Sequence, residues 1–68
     1  MIADDHTLQV TLERIAYFQA QVAHLRKVET TPANYHAAAS SFLMEIDRMQ
    51  LEVREYSSTY PAELEAMA

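Results

Sequence analysis

The sequence predicts an all-α fold, an antiparallel helical hairpin that forms a single domain over residues 1–68. In the second half of the chain, apolar residues repeat with unbroken alternating spacings of four and three. In the first half, a second apolar stripe has a period of about 3.6 residues. A Thr-Thr-Pro break at residues 30–32 separates the two stripes. Because each stripe needs another helix to cover it, we expect the two helices to pack on each other.

The first helix is predicted over about residues 8–29. Two threonines compete as its N-cap: Thr7 would start the helix at Leu8, and Thr11 would start it at Leu12 with Glu13 in the first turn. The residues alone do not decide between them. The core-facing side chains predicted for this helix are Leu12, Ile15, Phe18, Val22 and Leu25.

The second helix is predicted over about residues 32–57, with Thr31 as its N-cap and Pro32 at its first position. A link of two or three residues forces the helices antiparallel. The apolar stripe of this helix consists of Tyr35, Ala39, Phe42, Ile46, Met49, Val53, Tyr56 and Tyr60. We name the core residues of the first helix, together with this stripe as far as Tyr56, the core seam. A short turn or helix is expected over about residues 61–67, after Tyr60-Pro61.

Counted from Leu12, the first helix is about two turns shorter than the second. Either the N-terminal lead-in folds back over the excess or a second chain covers it. Two helices share only one interface, and a domain this small has a marginal core. The sequence contains no cysteine that could form a disulfide. We therefore expect a homodimer, most simply a four-helix bundle.

Side chains outside the stripe divide into two groups. Arg48 lies three residues after Glu45 and four before Glu52, which predicts a salt-bridged, solvent-facing triad. Leu43, beside the stripe, and Met44 and Leu51, almost opposite it, are apolar where solvent is expected. These three residues form a possible partner surface.

Composition and charge exclude several functions. Ten acidic residues against five basic ones give a net charge of −5, which disfavours direct nucleic-acid binding and would suit a basic protein partner. No apolar run approaches the ~20 residues of a membrane span, so no membrane partner is expected. The start of the chain, with Asp4 and Asp5, does not resemble a signal peptide, and the lack of cysteine fits a cytoplasmic protein.

The chain is not expected to be an enzyme, and no cofactor is predicted. Ser40 and Ser41 lack a base at a recognisable spacing. No histidine lies three or four residues from another, although His24 and His36 could approach each other near the turn. Two imidazoles are too few for a zinc site. A small metal-binding bundle is therefore only a second alternative, with no metal ligands assigned.

Two stretches resemble the N-terminal helical region of HigA-type antitoxins. These are Leu8-Gln9-Val10-Thr11, followed by Ile15, Phe18 and Gln21-Val22, and the helical stretch 45–56 (EIDRMQLEVREY). In that family the helical region precedes a DNA-binding helix-turn-helix, and parts of the antitoxin mask a ribonuclease toxin. The resemblance implies a helical fold and a masked basic partner. The present 68 residues contain no helix-turn-helix, so it implies neither DNA binding nor any particular contact residue.

The function expected from the sequence is a small soluble protein–protein interaction module that acts through helix packing as a homo-oligomer. An antitoxin-like or inhibitor protein that masks a basic partner is the first alternative.

Overall fold

A computed structural model of the protein describes residues 1–60. These residues form two α-helices, α1 (Asp5–Val28) and α2 (Pro32–Ser57), which pack against each other as an antiparallel hairpin. The predicted fold class and the separation of the helices at residues 30–32 are confirmed. The expected short element at about 61–67 lies outside the described residues. Neither helix contains an apolar stretch sufficient to cross a membrane.

Helix α2 begins and ends as predicted. Thr31 has an extended backbone, and its hydroxyl oxygen accepts a hydrogen bond of 3.2 Å from the Asn34 N–H, as expected of an N-cap. Pro32 occupies the first turn, where no intrahelical N–H bond is lost. At the other end, the helix stops at Ser57 and Tyr60 is exposed.

Helix α1 starts earlier than predicted, and neither threonine caps it. Asp4 is the N-cap, and its carboxylate accepts a 2.7 Å hydrogen bond from the Thr7 N–H. That bond, first among several causes, holds the pKa of Asp4 below its ordinary value of 3.8. Thr11 lies inside the helix, where its hydroxyl donates to the Thr7 carbonyl at 2.8 Å. A carboxylate at the cap and Asp5 in the first turn both favour this earlier start, because they complement the helix dipole.

The earlier start corrects the predicted mismatch in length. Helix α1 has 24 residues and α2 has 26, so α2 does not extend two turns beyond its partner. The lead-in before α1 also lies against α2. Ile2 is only 4% exposed, and the Met1 ammonium group lies 4.0 Å from a carboxylate oxygen of Glu52. The lead-in therefore contacts α2 near Glu52.

The core of the hairpin is small. Ile15, Ile46 and Met49 form its buried cluster, and Phe18, Val22 and Val53 pack against it while half-buried. The rings of Phe18 and Phe42 meet edge-on, with their centroids 5.6 Å apart. Ala39 is completely buried, while Leu25, Tyr35 and Tyr56 are half-buried. These positions agree with the predicted core seam.

One residue of the predicted core seam does not belong to the core of the hairpin. Leu12 is 43% exposed, and Thr11 is buried in its place. The reason is helical geometry: Thr11 lies four residues before Ile15, close to the middle of the buried stripe. Leu12 lies about 100° further round the helix from Thr11, at the edge of that stripe.

We expect Thr31→Ala to lower the stability by about 1 kcal/mol, because the Asn34 N–H loses its acceptor. In a domain of this size such a loss corresponds to a fall of about 4–8 °C in the melting temperature, which thermal circular dichroism measures. Thr30→Ala is the matched control, since Thr30 neighbours the cap and is exposed. Equal melting temperatures for the two variants would show that the Thr31 cap contributes nothing.

Candidate interaction surface

The described helices expose large apolar side chains on several sides of the hairpin. On α2 these are the three residues of the predicted partner surface, Leu43, Met44 and Leu51. They do not form one compact patch. Met44 is 71% exposed, and Leu51, one heptad later, lies on the same outer side of α2, facing away from α1. Leu43 lies nearer to the contact between the helices. The large apolar residues exposed on α1 are Val10, Leu12, Tyr17 and Val28.

The predicted charged triad is present on one broad face of the hairpin. Arg48 Nη2 lies 2.6 Å from Glu45 Oε2, and Arg48 Nη1 lies 3.0 Å from Glu52 Oε1. The hydrogen bond to Glu45 is the largest cause of the raised pKa of the Arg48 guanidinium, followed by the charges of the two carboxylates. We call the side of α2 that carries Glu45, Arg48 and Glu52 the charged face. All three side chains are accessible to water and pair their charges with one another, so the charged face needs no partner protein.

A second polar contact closes the open end of the hairpin. The Tyr56 hydroxyl donates a 2.6 Å hydrogen bond to Asp5 Oδ1, which joins the last turns of α2 to the first turn of α1. This hydrogen bond raises the pKa of Tyr56 above its ordinary value of 10.0, and burial of the ring and the Asp5 charge add to the rise. The sequence placed Tyr56 in the core seam, in the last turn of the second helix, and a partly buried tyrosine hydroxyl usually finds a hydrogen-bond partner. It did not identify Asp5, because Asp5 was placed in the lead-in.

The Tyr56–Asp5 contact gives the fold an expected dependence on alkaline pH. Because the pKa of Tyr56 is raised in the folded state, the stabilisation is fully present below the unfolded-state pKa, near 10. It is lost as the pH rises through the folded-state pKa. We therefore expect Tyr56→Phe to melt below the wild type at pH 8, with a difference that shrinks progressively above pH ~10. Thermal melts of both proteins over a range of pH values, from pH 8 to well above pH ~10, measure this.

Tyr17→Phe controls for the general effect of losing a phenol, since Tyr17 is 61% exposed and lies away from Asp5 on α1. A Tyr56→Phe difference that stays constant through the alkaline range would contradict the proposed contact.

An open groove of about 380 Å³ lies at the turn between the helices. Its polar lining includes Arg26, Glu29 and His36, and Tyr35 and Pro32 form part of its wall. The imidazole of His36 lies beside the Tyr35 ring, with centroids 5.5 Å apart. His24, the other histidine expected near the turn, is not part of the lining. The groove is a shallow depression of the connecting segment, with no enclosed volume that would hold a substrate.

Within residues 1–60, no three His, Asp or Glu side chains are placed to hold a metal ion. The Ser40 hydroxyl donates to the Ala37 carbonyl at 3.4 Å, within its own helix.

Comparison of the chain with protein-family models, with curated proteins and with solved structures finds no match in any of the three.

Proposed function

We propose that this protein is a non-catalytic protein–protein interaction module, and that it associates with a second copy of itself through helix packing. The observation that carries this proposal is the apolar surface that the hairpin leaves exposed. Leu12 and Leu43 are each more than two-fifths exposed, although they lie next to buried core positions on their helices. A face of this kind on a pair of helices is characteristic of a bundle that continues into another molecule.

The small core supports the same proposal. Within residues 1–60, the buried apolar residues are Ile2, Ile15, Ala39, Ile46 and Met49. Ordering a chain costs roughly 1.5 kcal/mol per residue, which a core of this size offsets poorly. The sequence has no cysteine for a disulfide. Burial against a second copy supplies the missing apolar contact, because binding to the folded state alone stabilises that state.

Sedimentation equilibrium of the purified full chain tests the proposal. We expect a particle of twice the 7.8 kDa chain mass at micromolar concentration. We also expect the melting temperature to rise with protein concentration, as it does when folding and association are linked. A well-folded monomer with a melting temperature independent of concentration would overturn the proposal.

A second candidate function is the masking of a basic protein, as in an antitoxin-like or inhibitor protein in the cytoplasm. The observation that favours it is the net charge of −5, and among residues 1–60 no acidic side chain is buried. Electrostatic attraction of this kind weakens with salt. Calorimetric titration against the product of a basic reading frame adjacent in the genome is the test. Tight binding that weakens from low to high salt supports the masking function, and no heat of binding removes it.

A further inference from the structure

One broad face of the hairpin carries two matching rows of residues, one row on each helix. Each row begins with a leucine. Its second residue lies four positions later, and its last residue, three positions after that, is a glutamine. All six residues are exposed. We call this surface the Leu face: Leu12, Ala16 and Gln19 on α1, and Leu43, Asp47 and Gln50 on α2.

The antiparallel packing puts both rows on the same side of the hairpin. Leu12 lies three residues before Ile15, and Leu43 lies three residues before Ile46. Ile15 and Ile46 belong to the same buried cluster, so each leucine is rotated by the same angle, and in the same sense, away from the core. In two antiparallel helices, equal rotations of this kind point to one common face.

The core obeys the same correspondence. Phe18 and Met49 are as far apart in the sequence as Ile15 and Ile46, and so are Val22 and Val53. These six residues make up the packed cluster. The hairpin therefore has an approximate two-fold axis between its helices, perpendicular to the Leu face. Two copies placed face to face use the same patch on each subunit, as in an isologous contact, and the internal axis repeats the helix contacts on both sides of the interface.

We propose that the Leu face is the surface on which a second copy of this chain docks, face to face, to complete a four-helix bundle. The inference rests on the proposed function and adds to it the face that is used. Ala16 provides a small side chain next to the leucines, which lets the facing helix approach closely. The two leucines supply the apolar burial, and the two glutamines can hydrogen-bond at its edge.

The distribution of charge favours a second copy over a basic partner on this face. Copies that each carry a charge of −5 repel one another, so they associate most readily where few charges meet. Asp47 is the single charged residue among the six of the Leu face. Glu45, Arg48 and Glu52 lie on the opposite side of the α2 core stripe, on the charged face. A basic protein would instead be drawn to the acidic side chains outside the Leu face.

The size of the face is also suitable for a dimer. The whole side of the hairpin that carries the Leu face, two helices about 10 Å wide and ~36 Å long, has an area of roughly 700 Å². An interface of standard size buries about 600–1,000 Å² on each partner. The side as a whole therefore falls within the range of a stable dimer, and the six residues of the Leu face make up only part of it.

The experiment compares neighbouring residues on two sides of α2. Leu43→Asp places a charge in the Leu face, and Met44→Asp places the same charge on the outer side of the same helix. We expect Leu43→Asp to weaken the dimer at least about 30-fold, as for the loss of a central interface anchor. Met44→Asp should leave the dissociation constant within about threefold of the wild type. Sedimentation equilibrium gives the constants, and circular dichroism shows whether each variant is folded.

A milder pair of variants keeps the test decisive if Leu43→Asp does not fold. The sequence has no cysteine, so Leu43→Cys and Met44→Cys each create one unique thiol. We expect a bulky maleimide to label position 43 at least about tenfold more slowly in concentrated than in dilute protein, because only the dimer covers it. Labelling of position 44 should not depend on concentration.

The outcomes separate the two proposals. A wild-type dimer in which position 43 reacts as readily as position 44 at every concentration overturns the Leu face and leaves self-association standing. A dimer that Met44→Asp disrupts and Leu43→Asp does not would move the interface to the outer side of α2. A monomeric wild type overturns self-association and the Leu face together.

Discussion

Ile46→Asp is expected to abolish the helical circular dichroism signal at neutral pH, and with it any self-association. Ile46 is 6% exposed and lies in the buried cluster with Ile15 and Met49. An ionised carboxylate there lies among the apolar side chains of the cluster, and its lost hydration costs several kcal/mol. A core in a chain this short supplies no more than about 3–5 kcal/mol of stability in total. The substitution therefore removes most or all of it.

Met44→Asp is the matched control for this substitution. It introduces the same side chain into the same helix, two residues away, at a position that is 71% exposed. The penalty for aspartate within a helix is then equal in both variants, and only burial differs. We expect Met44→Asp to retain the wild-type spectrum and melting temperature. If Ile46→Asp is as helical as Met44→Asp, Ile46 does not lie in the core.

The second helix was the most predictable part of the fold, because its signals are local. Thr31 and Pro32 determine the start of α2 through backbone geometry that depends on neighbouring residues alone. The regular stripe from Tyr35 to Tyr56 then identifies the buried side without knowledge of the partner helix. Both predictions hold in the structure. The triad of Glu45, Arg48 and Glu52 was predictable for the same reason, since helical spacing alone brings these side chains together.

The predicted start of the first helix was wrong. Tertiary contacts help to support the earlier start that the structure shows. Thr7 and Thr11 are both acceptable caps by residue type, and a preference for threonine alone cannot rank them against Asp4. In the structure, the Asp5 carboxylate accepts a hydrogen bond from the hydroxyl of Tyr56, near the end of α2, and Ile2 is buried. The sequence signals for this earlier start were Asp4, which is a better N-cap type than threonine, and Ile2, two residues before it. A buried side chain at that point fixes the entry of the chain into the helix, much as a hydrophobic staple does.

The candidate surface was only partly accessible from the sequence. Leu43, Met44 and Leu51 were identified as apolar and exposed, and the structure places all three on the surface. Leu43 lies on a different side of α2 from Met44 and Leu51, and on the same face of the hairpin as Leu12. Both placements depend on how α1 packs against α2. A stripe of apolar residues gives the buried direction of one helix. It does not tell which exposed rows of two helices become neighbours.

Ala39→Leu is expected to destabilise the hairpin by about 1–3 kcal/mol, the cost of overpacking a well-filled site. Ala39 has no exposed surface at all, so the added methylene and methyl groups have no space unless the helices separate. For a domain of this size, such a loss lowers the melting temperature by about 4–8 °C per kcal/mol. Thermal circular dichroism at a fixed protein concentration provides the measurement.

Ala37→Leu separates packing from helix propensity, because Ala37 lies two residues earlier in α2 and is exposed. Leucine and alanine have similar propensities in a helix, so this control should change stability by no more than about 0.5 kcal/mol. If Ala39→Leu melts together with Ala37→Leu, the helices do not meet closely at Ala39. A large difference in melting temperature between the two variants establishes that position 39 needs an alanine because the helices approach closely there. The composition of the Ala37–Ala39 run would not explain such a difference.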